Sequence, residues 1–213
     1  MALREKMRYL LVLMFCCFLP SAWADMTLSI VDQDNLPVVD AVVTVSKNVV
    51  GTPSSVAVMD QVDESFVPRV IVVQKGQYVS FPNSDDIRHH VYSFSEPKTF
   101  EIKLYKGTDV APILFDNPGL VVLGCNIHDD MIGYIIVADN ALTLKTDKNG
   151  QVRLPVKQGD KVLLWTERSI DGANALESID ITSDTGQTVT LELLPPIEVI
   201  DHSSHKGFGK KKW

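Results

Sequence analysis

Short runs of β-branched and aromatic residues, each closed by a turn signal, fill this chain from residue 25 to about residue 195. Segments 27–31, 39–45, 70–73, 78–81, 120–124 and 134–137 are of this kind. Side chains of that shape suit a pleated, half-buried surface and are stiff in a helix. Lys75-Gly76, Asn117-Pro118-Gly119, Asp147-Lys148-Asn149-Gly150, Gly159-Asp160 and Asp184-Thr185-Gly186 supply the turns between runs. Past residue 24, no stretch holds a helical apolar period. The pattern predicts an all-β chain folded as β-sandwiches.

The first 24 residues follow a different rule. Arg4, Lys6 and Arg8 precede an apolar run at 10–19 and the small-residue site Ala22-Trp23-Ala24. That is the layout of a secretory signal peptide cleaved after Ala24. Ten apolar residues fall short of the roughly 20 needed to span a bilayer, and no later segment is longer, so no stable membrane insertion is expected. Cys16 and Cys17 lie inside the apolar run, which argues against a lipoprotein. The expected location is the periplasm.

Cleavage sharpens two numbers. Three basic residues and one acid lie before Asp25, so the formal charge moves from −7 to −9. An acidic surface argues against a nucleic acid partner. Of three cysteines only Cys125 remains. A single thiol cannot form an intrachain disulfide and is exposed to oxidation in an exported protein. Metal ligation would shield it; an intermolecular disulfide is the alternative.

The chemistry concentrates in Cys125-Asn126-Ile127-His128-Asp129-Asp130-Met131, a short loop expected between two strands. Thiolate, imidazole and thioether in one loop are mostly soft donors. With a second histidine they make the donor set of a blue-copper site. Upstream, His89 and His90 follow a strand, and alternation along a strand lets only one of them face an ion.

From about residue 56 to residue 138 the sequence resembles the cupredoxins, nearest to the amicyanin and plastocyanin group. Phe66-Val67-Pro68 through Gly76, Tyr78 and Phe81 is similar to the opening of that family. Asn83 stands six residues before His89, and Phe115-Asp116-Asn117-Pro118-Gly119 precedes Cys125 as the family's turn and cysteine strand do. The Cys-x-x-His-x-x-Met loop has the short amicyanin-like length, and Gly133 with Val137 resembles the closing strand. The resemblance implies one copper ion held by His89, Cys125, His128 and Met131. It implies Asn83 as a hydrogen-bonding tie between the two ligand loops, and His90 as a neighbour behind the ligands or at the surface. The sequence departs from the family at Arg88, where proline is common, at Val121, where an aromatic is usual, and at Asp129-Asp130 inside the loop.

The flanks resemble a carboxypeptidase-regulatory-like β-sandwich, at Asp32 to Val45 and again from Thr146 through Gly159 to Trp165. Composition breaks at Gly51 to Ser55 and at Asp139-Asn140. The expected organisation is a signal peptide (1–24), opening strands of a small sandwich (25–54), a cupredoxin Greek-key sandwich inserted into it (55–139), the rest of the small sandwich (140–196) and a basic tail (197–213). The tail carries His202, His205 and Lys210 to Lys212, and is read as a solubilising or docking segment, with metal binding by its histidines as the alternative.

The expected function is transfer of single electrons through a Cu(I)/Cu(II) couple, between a redox donor and acceptor that the sequence does not name. Some cupredoxins serve methylamine oxidation. The chain is expected to be a monomer and not an enzyme. A copper carrier or store, and a copper-free interaction module, are the other readings. A Cys125–His128 hydrolase lacks an oxyanion-hole signature and a histidine from elsewhere in the chain.

Overall fold

A computed structural model describes residues 25–196. The expected signal peptide (1–24) and basic tail (197–213) lie outside them. Among the described residues there is no helix.

Two strands open the chain, β1 (Met26–Asp32) and β2 (Val42–Val49). Ten follow in the middle: β3 (Ala57–Val58), β4 (Asp60–Val62), β5 (Ser65–Val67), β6 (Val70–Gln74), β7 (Gln77–Ser80), β8 (His89–Ser93), β9 (Phe100–Tyr105), β10 (Ile113–Phe115), β11 (Gly119–Cys125) and β12 (His128–Ala138). Five close it: β13 (Ala141–Lys145), β14 (Gln151–Leu154), β15 (Lys161–Trp165), β16 (Glu177–Asp180) and β17 (Gly186–Leu191).

The sheets sort these strands by position in the chain. β14-β1-β17 and β13-β2-β15-β16 use only the two ends, and β10-β7-β3, β6-β12-β11-β8-β9 and β4-β5 only the middle. β2 bridges the ends directly, with Val42 opposite Trp165, Val43 opposite Leu164 and Thr44 opposite Leu163. The strand starts at Val42 rather than Val39, because Asp40 turns the chain at a φ of 58°.

Apolar alternation explains the layers. β1 buries Met26, Leu28 and Ile30 and exposes the residues between more. Those three join Val43, Val45, Leu154, Val162 and Leu164 in one cluster drawn from both end sheets. A second cluster holds Phe66, Phe81, Phe115, Val121, Leu123 and Ile135 between the middle sheets. Between the two bodies lies a third, where Val42 and Trp165 meet Val70 and Tyr134 on the outer face of the five-stranded sheet. Trp165 and Tyr134 rings sit 5.2 Å apart.

One buried charge pair ties the end strands together. The Asp32 carboxylate accepts from Arg168 Nη2 at 2.9 Å and from the Leu36 and Asp34 amides at 2.9 and 3.1 Å. The Arg168 hydrogen bond, with those amides, holds its carboxyl below the ordinary value. The unfolded chain then takes up the proton first, so acid favours unfolding. The stabilisation is complete above the ordinary carboxylate range near ~3.9 and is lost as pH falls through the lower folded value. Melting temperature measured from pH 6 down to pH 2 should therefore fall less steeply in Asp32→Asn than in the parent.

Candidate metal centre

β11 carries the first donor by simple alternation. Val121, Leu123 and Cys125 point into the middle core, and Cys125 is 3% exposed. At its end the chain reverses through Asn126 and Ile127 only, and Cys125 pairs with His128. The loop expected to reach Met131 is thus a two-residue turn, with His128 to Met131 already on β12. The next pair is Gly124 with Ile132, so residues 129–131 have no counterpart on β11. Such a bulge re-aims side chains next to a functional site. Here Asp129 and Asp130 face solvent and Met131 turns inward to 1% exposure, in the same buried cluster as Cys125.

β8 settles which histidine of the pair faces inward. His89 shares a face with Val91 and both are fully buried. His89 Nδ1 lies 4.0 Å from Cys125 Sγ, and His128 Nδ1 lies 3.8 Å from it. The ring centroids of His89 and His128 are 5.0 Å apart. One donor atom from each of the three residues falls within 4.8 Å of the others. His90 points the other way, with Nε2 at 2.9 Å from Glu101 Oε1 and its ring 5.6 Å from Tyr92.

Asn83 is buried, but its hydrogen bonds run to Ile87 and Tyr105 rather than to the 125–131 segment. Its Nδ2 donates to both carbonyls, at 3.0 and 2.9 Å, and its Oδ1 accepts from the Asp85 amide at 3.0 Å. It thereby fixes the loop that carries Asp85 and delivers His89. Tyr105 supports the same loop by donating its hydroxyl to the Phe81 carbonyl at 2.5 Å, and burial pushes its phenol up to about 12.

Two carboxylates stand behind the imidazoles. His89 Nε2 meets Asp85 Oδ2 at 2.5 Å, and His128 Nε2 lies 3.5 Å from Glu64 Oε2. Asp85 also accepts from the Asp63 and Glu64 amides, at 2.6 and 3.0 Å. Burial alone would raise the Asp85 carboxyl, but these amides and the His89 imidazole outweigh it and hold it below the ordinary value. Neither carboxylate was singled out in the sequence. Asp85 sits in an acidic loop with no periodic pattern, and Glu64 is about 60 residues before the cysteine strand.

The donor chemistry fits copper. Two imidazole nitrogens and one thiol converge at one end of the middle core, with a thioether in the same apolar cluster as the thiol, and no carboxylate belongs to the three-residue group. Soft donors of this kind select copper over magnesium or calcium, and a thioether suits zinc poorly.

No protein-family model matches the chain, and no curated relative matches it. Solved copper proteins do. A copper-containing nitrite reductase from Thermus scotoductus SA-01 is 27% identical with a TM-score of 0.38, over 40% of this chain and 23% of that one. This chain thus spans about a quarter of the reductase. The reduced Cu(I) form of an amicyanin mutant is 18% identical with a TM-score of 0.37, over 40% of this chain and 85% of that one. A purple cupredoxin from Nitrosopumilus maritimus is 18% identical with a TM-score of 0.35, over 38% of this chain and 99% of its own. Each likeness covers about two fifths of this chain. In the middle body the strands bearing His89, Cys125 and His128 are neighbours in one sheet, β12-β11-β8. Register within a single sheet therefore sets the donor spacing.

Proposed function

We propose that this chain is a periplasmic type 1 copper protein that carries single electrons, with His89, Cys125, His128 and Met131 as the copper ligands. The observation that carries the reading is the convergence of both Nδ1 atoms on the Cys125 sulfur, at 4.0 and 3.8 Å. Bound copper would supply a one-electron Cu(I)/Cu(II) couple. The chain's own part is to hold the donors in one arrangement through both states. Burial of His89, Cys125 and Met131 in a close-packed core resists rearrangement. His128, with its side chain 22% exposed, gives the electron a way in or out.

The outward-facing Asp129 and Asp130 and the net negative charge favour a basic partner that docks transiently and is sensitive to salt. Donor and acceptor are separate redox proteins, and the chain works as a monomer without bond-making chemistry of its own. We also read the middle sandwich as a domain (55–139) inserted into a smaller one (25–54 and 140–196), a division supported by the pairing of β2 with β15.

Voltammetry of the copper-loaded protein tests this function. A reversible one-electron wave, with the metal retained after many cycles, is the expected outcome. Release of the metal on reduction to a Cu(I) acceptor would point to carriage instead.

A further inference from the structure

The hairpin between β4 and β5 turns on two residues, Asp63 and Glu64, with φ of 49° and 58°. Two-residue hairpin turns favour positive φ because it matches strand twist, and glycine or asparagine is the easy choice there. A glutamate is not. Its presence is explained by what surrounds it. The two turn amides hold the Asp85 carboxylate, which in turn meets His89 Nε2. The Glu64 side chain from the same turn faces His128 Nε2. One tight turn thus reaches the outer nitrogen of both imidazoles whose inner nitrogens face the thiol.

We propose that the Asp63–Glu64 turn is a redox-tuning clamp, which places the Asp85 and Glu64 carboxylates behind the two histidine ligands and lowers the reduction potential of the site. The proposal rests on the copper reading above and goes beyond it by assigning the potential's direction to named residues. An imidazole whose Nε2–H is donated to a carboxylate keeps its Nδ1 lone pair free for the ion and becomes a stronger base. The negative charge behind the ring also favours the more highly charged oxidised ion. Both effects hold Cu(II) more tightly than Cu(I). Side-chain exposures of 11% for Asp85 and 31% for Glu64 leave water only partial access to screen them. Asp85 and Glu64 are positioning residues here, acting through the histidines.

The test is the midpoint potential of copper-loaded parent, Asp85→Asn and Glu64→Gly, with visible spectra and chelator competition for Cu(II) and Cu(I). Asp85→Asn should lower the affinity for Cu(II) relative to Cu(I) about tenfold, a rise of about 59 mV for a one-electron couple. Glu64→Gly should raise the potential by less, while keeping or raising the melting temperature, because glycine accepts the positive φ without strain. That opposition separates tuning from structural support. If Asp85→Asn does not fold, Glu64→Gly alone decides. Unmoved potentials beside an intact thiolate-to-copper band overturn the clamp and leave the copper reading standing. A parent protein with no such band overturns that reading, and the clamp with it.

Discussion

Replacing Cys125 with serine should abolish the intense visible absorption of the copper-loaded protein while leaving the sandwich folded. The substitution changes one atom in a site where Sγ has both His89 Nδ1 and His128 Nδ1 within 4.0 Å. Serine is close in size, so the core around Val121, Leu123 and Met131 keeps its shape. The hydroxyl is a hard, neutral donor at neutral pH and supplies no sulfur-to-metal charge transfer. Imidazole alone would still bind Cu(II), with a weak, pale spectrum. The measurement is a copper titration followed by visible spectroscopy, with circular dichroism to verify the fold. An unchanged band in the variant would show that the copper lies elsewhere.

Trp165→Ala should cost about 3–5 kcal/mol, the range for losing a large buried aromatic. Trp165 is 3% exposed and its Nε1–H donates to the Ala173 carbonyl at 2.7 Å. Its ring packs on Tyr134, and with Val42 it covers the outer face of the five-stranded sheet. The side chain belongs to the body built by the chain ends, whereas Tyr134 and Val70 belong to the middle body. Its loss should loosen the seam more than either core. Calorimetry should then resolve two melting transitions where the parent shows closer coupling, and copper should raise the temperature of only one. A single transition shifted as a whole would show that the bodies melt as one unit whatever fills the seam.

Strand-forming segments were legible in the sequence because their signal is local. Leu120 to Gly124 reads as a strand from β-branched content, and alternation places Val121 and Leu123 on one face. The same rule separates His89 from His90 once β8 is known to begin at His89. The bulge at 129–131 was not legible, since it exists only relative to a partner strand. Nothing in Asp129-Asp130-Met131 says that three residues will stand opposite none. Asp85 and Glu64 were hidden for a related reason. Their roles depend on amides and imidazoles up to 64 residues away along the chain, brought together by a turn that lacks the usual glycine. The pairing of β2 with β15 spans about 120 residues, and only the resemblance of the two flanking stretches to the opening and the continuation of one small sandwich pointed to it.

β12 is long, eleven residues from His128 to Ala138. Beyond Ala138 only Asp139 and Asn140 intervene before β13, and the Val50 amide donates to the Asn140 carbonyl at 2.7 Å. The polypeptide therefore crosses into the middle body and back out through one doorway, at the opposite end of this strand from the histidine. At about 3.3 Å per residue that separation is roughly 30 Å. The middle body is stepped like a mast, with the Trp165–Tyr134 contact as its stay and the His128 edge at the masthead. A given tilt at that stay moves the His128 tip further than the base, so under the proposed function the seam steadies the edge offered to a redox partner.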